Sequence, residues 1–488
     1  MDVGEISVLR LIPRTRGPPR AEPSRTSIHW HGIRQQGSNS EDGVNGLTEC
    51  PLPPGGSKVY VWQATSYGTS WWHSHASTQY GDGVFGAIVI HGPTSAGYDV
   101  DMGPITISEI YRTSGGSGAG ALDVIISTQG PLTDVPDKIL FNGTNVNAQG
   151  GGKRFQMTVE LGKRYLMRFI NTGVDDFYKV GIDGHMMEVV AIDLTPVKPY
   201  TTQYVSLAIG QRFDAIMTAN GTVGNYWLRA LPMNCASNNY NGKGTQNAII
   251  SYKGAAPALP TTAAAPVHDD CLDEPAEKTI PFVGKSVNVS NFDPRHLPVA
   301  SPFKITSANE GRVFRWSIGE TTQNVDLQHP ILQRLVQGNT TISPEDNMIG
   351  VDEKDTWAFW YIQNNFYEPH PIHMHGNDMR ILASGEGQWD EDLSKLQVNN
   401  PMRRDTFMLR GGGYAILAFY TDNPGIWLLH CHIGWHVSEG LSTSLYIRKD
   451  DIKLDAEVGK SIEDGCTAWN DYLTNPTKFT YQKFGSGV

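Results

Sequence analysis

Short apolar runs, broken every few residues by polar or turn-forming positions, dominate the chain. KVYVW (58–62), AIVI (87–90), ITISEIY (105–111), YLMRFI (165–170), YVSLAIG (204–210), AIIS (248–251), TWAFWYI (356–362) and YAILAFY (414–420) are each of strand length. Runs of this size, rich in Val, Ile, Tyr, Phe and Trp, predict short strands whose side chains alternate between two faces. The 52 Gly and 29 Pro supply the turns between them. Apolar patterns of 3.6-residue period are scarce. The pattern predicts an all-β protein of stacked sandwiches, and 488 residues are enough for about three domains.

Histidines break this pattern in four places. HWHG holds His29 and His31, HSH holds His73 and His75, HPIHMHG holds His370, His373 and His375, and HCHIGWH holds His430, Cys431, His432 and His436. Ten of the chain's 15 histidines fall in these windows, which ordinary core histidines have no reason to do. In HCH the strand period turns Cys431 to one face and His430 and His432 to the other. One covalent segment can therefore serve two metal centres. Two imidazoles and a thiolate describe a blue-copper electron-transfer site, here His370, Cys431 and His436. Structural zinc sites use closed Cys and His sets at close spacing, which this chain lacks. The remaining eight histidines suit three more metal ions. Four coppers can collect single electrons and deliver four together, the number that dioxygen needs to become water.

These windows resemble the copper signatures of the multicopper oxidases, and more narrowly of laccases of ascomycete type. The likeness includes HWHGIRQQGSNSEDGVNGLTECPLPPG, GTSWWHSHASTQYGDGVFGAIVIHGP, HPIHMHG and NPMRRDTFMLRGGGYAILAFYTDNPGIWLLHCHIGWHVSEGLS, and runs from about residue 26 to the end. It implies three cupredoxin-like Greek-key β-sandwich domains. It also implies a type 1 copper on His370, Cys431 and His436 and a type 2 copper on His29 and His373. One type 3 copper would take His31, His73 and His432, and the other His75, His375 and His430. The family's axial position lies ten residues after the cysteine, at Leu441, which has no lone pair to donate. Nothing then stabilises the oxidised ion from that side, so the potential should exceed that given by an axial methionine. Asp175 (with Asp176 second) aligns with the acid that takes the proton from a phenol, and Asp42 with an acid beside the trinuclear coppers. Asn377 and Met379 replace a usual histidine and aromatic, and Gly485 replaces the usual aspartate of a C-terminal plug.

The expected organisation is a first domain over 1–95, a second over 96–258 that walls the substrate pocket, a linker over 259–278, and a third over 279–488. The low-complexity stretch GAAPALPTTAAAPVHDD (254–270) marks the joint. MDVGEISVLR lacks the basic start and apolar stretch of a secretory signal. The next residues scatter Pro13, Pro18, Pro19 and Pro23 among Arg14, Arg16, Arg20 and Arg25. Relatives carry several strands before HWHG and this chain has room for one, at 6–11, so the start reads as truncated or misread and the first domain as incomplete.

Composition narrows the partners. A net charge of −11, from 39 basic and 50 acidic residues, speaks against nucleic acid. No apolar stretch approaches the roughly 20 residues that span a bilayer. With Cys431 assigned to metal, Cys50, Cys235, Cys271 and Cys466 remain and allow three pairings. The resemblance favours Cys235–Cys271 and Cys50–Cys466. Sequons at Asn142, Asn220, Asn288 and Asn339 fit a secreted glycoprotein.

The expected function is laccase-type oxidation of small phenols or aromatic amines, such as lignin phenols, by dioxygen in a monomer. Among rivals, a ferroxidase usually has an acid where Gly434 stands. Ascorbate and bilirubin oxidases favour an axial methionine, and a nitrite reductase lacks HCH. From a different class, a copper-binding protein with an impaired first domain would be blue without consuming oxygen.

Overall fold

The computed structural model describes residues 25–111, 136, 138–147, 150–235, 247–307, 311–319, 321–339 and 341–474. The expectations for residues 1–24 and for the C-terminal tail lie outside them. Among the described residues the strands form five sheets. A three-stranded sheet joins Ile28–His31, Gly68–Ser74 and Phe85–Ile90. Sheets of six and five strands follow between Val100 and Tyr252, and another six and five between Arg295 and Ile447. The all-β expectation holds.

Seven of the eight apolar runs lie in ladders; 58–62 does not. Its alternation is nonetheless real, with Tyr60 buried and Val59 and Val61 each 52% exposed. Instead of a strand partner, Tyr60 offers its hydroxyl to Glu49 (2.9 Å) and accepts the Ile28 backbone N–H (3.1 Å). The sequence pattern also underplays one helix, Ala456–Leu473, which buries Ile462, Cys466 and Trp469 along one face. Asp455 caps it by accepting the Val458 N–H at 2.8 Å. Cys50–Cys466 ties this helix to the first sheet's surroundings, Cys235–Cys271 closes a second bridge, and Cys431 is free and buried.

Strand register brings the histidine windows together. His29 pairs with His73 across the first sheet, and His373 with His430 across the last. Ile372 pairs with Cys431, and Met374 with Leu429. Ile372, Met374 and Leu429 are fully buried, and each contributes about 1.5–3 kcal/mol by leaving water. A one-residue slip would exchange the apolar and histidine faces of these strands, both of which are buried, so the core itself fixes the register of the site. Two motif glycines have steric reasons. Gly32 (φ +73°) lies where a Cβ would strike the Asp405 carboxylate, and Gly376 (φ +64°) where it would strike the Trp427 ring.

Candidate metal centres

His370 opens the strand His370–Met374, Cys431 closes the strand Gly425–Cys431, and His436 lies on the short helix Gly434–Ser438. Their donor atoms converge: Cys431 Sγ lies 3.6 Å from Nδ1 of His370 and 3.6 Å from Nδ1 of His436. The two nitrogens are 3.2 Å apart. All three residues are buried. Burial lowers the His370 pKa to about 3 and takes His436 well below its ordinary value, so both imidazoles are uncharged. The same burial raises the Cys431 thiol pKa, and Glu368 and Asp175 push it the same way. Two neutral imidazoles facing a thiol that needs a positive partner form a donor set for a metal cation. Trp316 stands 4.4 Å from the His436 ring and 5.1 Å from the His370 ring. Leu441 is fully buried beside this group, its carbonyl accepting the Cys431 N–H at 3.0 Å and its N–H donating to the His436 carbonyl at 2.9 Å.

On the other face of the HCH strand, His430 Nε2 lies 3.2 Å from His375 Nε2, and His432 Nε2 lies 3.2 Å from His31 Nδ1. The structure groups His31, His73 and His432; His75, His375 and His430; and His29, His31 and His373, each with donor atoms within 4.8 Å of one another. His29 stacks on His375 and His31 on His373, both at 3.8 Å between ring centres. Among the described residues, Nε2 of His29, His73 and His373 is buried without a hydrogen-bond partner. Orphaned imidazole nitrogens converging in the interior are costly unless something electropositive accepts their lone pairs. Burial and neighbouring histidines hold the pKa of His31, His73, His75, His373 and His375 well below the ordinary value. These residues therefore fit metal ions.

Two carboxylates hold the ring orientations. Asp42, fully buried, puts Oδ2 2.9 Å from His375 Nδ1 and Oδ1 3.2 Å from His29 Nδ1. Asp405 puts Oδ1 3.1 Å from His31 Nε2, while its carbonyl accepts His373 Nδ1–H at 2.9 Å. Arg212 grips Asp405 with two bonds of 2.7 and 2.6 Å. Desolvation raises the Asp405 pKa to about 6 against the pull of Arg212. Asp405 and Arg212 are residues the sequence reading missed; the only local signal is an acid following two arginines inside an apolar stretch.

Acidic groups gather on the Glu368 side of His436. Asp175, half-buried, and Asp176, buried, line a narrow cavity with Phe177, Glu368 and Ile433. The loop is fixed from below by Glu109, also missed, whose carboxylate accepts the N–H groups of Val174, Asp175 and Asp176 and the hydroxyls of Tyr111 and Tyr178. Desolvation, then Glu109, raises the Asp176 pKa well above normal. Glu368 Oε2 approaches His436 Nε2 to 3.7 Å, and desolvation lifts its pKa to about 7.

Comparison with known proteins places this geometry. Family models described as multicopper oxidase match residues 21–95, 103–255 and 295–451. A laccase of Neurospora crassa is 40% identical over 483 residues, covering 95% of this chain and 75% of that protein. Laccase-3 of Botryotinia fuckeliana is 42% identical over 432 residues, covering 86% of this chain and 93% of the relative. The crystal structure of a laccase from Botrytis aclada matches with a TM-score of 0.87 at 35% identity, covering 96% of this chain and 85% of that one. Copper is the metal that such a match implies for these donor groups. The chain belongs to the multicopper oxidase family and, within it, to the laccases of ascomycete fungal type.

Proposed function

We propose that four coppers, one type 1, one type 2 and two type 3, let this laccase take single electrons from four phenol or aromatic amine molecules and reduce one dioxygen to two waters. His370, Cys431 and His436 would hold the type 1 ion, and His29 with His373 the type 2 ion. His31, His73 and His432 would hold one type 3 ion, and His75, His375 and His430 the other. One observation carries the reading: Cys431 belongs to one donor group, while its chain neighbours His430 and His432 each face histidines of another. Electrons entering beside Cys431 thus have a covalent route of a single residue in either direction.

The protein's own residues do the rest. His436 Nε2 faces the Glu368 side of the cavity and forms the edge that a substrate ring approaches. Asp175 accepts the phenolic proton as the electron leaves, which avoids a high-energy radical cation. Asp42 and Asp405 keep the histidine rings aimed. The division of the described strands into one sheet before residue 95, two between Val100 and Tyr252 and two after Arg295 supports domains over 1–95, 96–258 and 279–488 with a linker at 259–278. Each donor group is completed within one chain, which supports a monomer. An extracellular setting is supported by two disulfides and by exposed asparagines in all four sequons. No helix among the described residues is long and apolar enough to cross a membrane.

Oxygen uptake on adding a phenol tests the reading, and Asp175→Asn sharpens it. The variant's kcat/KM for a phenol should fall about 100-fold, at the lower end for lost proton transfer. A one-electron donor with no proton to lose should react at nearly the parent rate. Equal losses on both donors would remove Asp175 from proton transfer, and no uptake by the copper-loaded parent would overturn the function. Leu441→Met should lower the type 1 potential in a redox titration, since a thioether stabilises the oxidised ion; an unchanged or raised potential would refute the axial assignment.

A further inference from the structure

We infer that a second site, sharing no lining residue with the Asp175 cavity, binds a small tetrahedral oxyanion such as inorganic phosphate. It is a cavity of about 120 Å³ lined by Arg34, Lys285, Arg380, Arg403, Asp378 and Asp422, with Trp357 and Tyr420 at its side. Four cations against two carboxylates leave a local surplus of two positive charges in a chain whose net charge is −11.

The two carboxylates are already engaged. Asp422 pairs with Arg34, and Asp378 lies 3.8 Å from Arg403, which also donates to Thr195 at 2.9 Å. Arg380 is left over. It is only 6% exposed, its Nη1 is buried without a hydrogen-bond partner, and it has no ion pair among the described residues. Register makes the deficit sharper, because Arg380 sits directly opposite Arg403 across the sheet. Like charges so placed repel, and a buried guanidinium with free donors is expensive. Desolvation, then Arg403, lowers the Arg380 pKa to about 10 despite the attraction of Asp378, which is shared with Arg403.

A bound oxyanion resolves these features together. Its oxygens can accept from Arg380 and Arg403 at once, in the forked geometry that guanidinium groups favour. An aromatic ligand fits less well, since Lys285 already covers the faces of Tyr420 (4.2 Å) and Trp357 (5.2 Å). Lys285 is exposed and stands at the mouth. The walls come from separate parts of the chain: Arg34 follows HWHG, whereas Arg380 and Arg403 lie in the last six-stranded sheet. Asn423 bridges the Arg34 carbonyl (2.6 Å) and the Gly376 carbonyl (2.8 Å) behind the cavity. An anion there fastens the segments that carry His31 and His375, so occupancy should stabilise the fold by mass action.

The test uses the copper-loaded protein, with inorganic phosphate titrated at constant ionic strength and chloride as the control. Thermal unfolding should show a saturable rise in Tm with phosphate and none with chloride. Arg380→Gln should weaken phosphate binding by calorimetry at least about tenfold, the loss of one charged hydrogen bond. Lys285→Gln, a change at an exposed position, should weaken it to a smaller degree and carries the test if Arg380→Gln does not fold. A phosphomonoester that binds as tightly as phosphate identifies a phosphorylated molecule as the source, and one that binds more weakly identifies the free ion. An equal rise in Tm with chloride, or phosphate affinity unchanged in both variants, would overturn the inference.

Discussion

Cys431→Ser should abolish the blue absorbance and reduce phenol-driven oxygen uptake by more than the roughly 10–100-fold typical of losing a residue that merely supports a metal ligand. Serine matches cysteine closely in shape, and Cys431 is fully buried between Ile372 of the neighbouring strand and the Leu441 carbonyl, so the fold should persist. What goes is the soft anionic donor. The thiol lies 3.6 Å from two imidazole nitrogens, and no hydroxyl can ionise there to replace it. The loss also cuts the shared route, because His430 and His432 flank this one residue. Absorbance and oxygen-electrode measurements on the same sample check the result. Retained colour, or retained uptake with the colour gone, would mean that electrons enter elsewhere.

Asp42→Asn should slow reoxidation by dioxygen about 10–100-fold while anaerobic bleaching of the blue band by a phenol stays fast. The carboxylate is buried among histidines and accepts from Nδ1 of His375 (2.9 Å), while the Asp42 backbone carbonyl accepts from Nδ1 of His29 (2.9 Å). An asparagine keeps the size but is neutral, and it accepts from His375 only when its amide oxygen, not its NH2, faces that ring. One imidazole then loses its orientation, and the anionic charge that makes it a better ligand is lost. Cys431 and its two imidazoles do not touch Asp42, which is why their reduction should be spared. Stopped-flow traces of bleaching and recolouring separate the two steps. Equal slowing of both would make Asp42 a general structural residue.

The sequence showed the histidine and cysteine windows that converge better than the groups that surround them. Metal donors announce themselves because HxH and HCH need short spacing on a strand, and period 2 alone separates Cys431 from its neighbours. The supporting carboxylates carry no such mark. Asp405 meets His31 across 374 residues, and Glu109 meets Asp176 across 67, so only the folded chain joins them. Glu368 stands two positions before His370 and belongs to no motif; only the fold brings His436 to it. Pairing of the four remaining cysteines was likewise open to arithmetic and needed the family likeness; the bridges then appear as Cys50–Cys466 and Cys235–Cys271. At 58–62 the alternation was legible but not its consequence, since a strand needs a partner and Tyr60 found a hydrogen-bonded socket instead. The anion cavity was hidden for the same reason as Asp405: cross-strand register, not local pattern, sets Arg380 against Arg403.

Metal analysis of purified, active protein, run beside Cys431→Ser, bears most directly on the four-copper arrangement. The account predicts four coppers per chain in the parent and three in the variant. Active parent protein with far fewer than four, or with another element in place of copper, would contradict it.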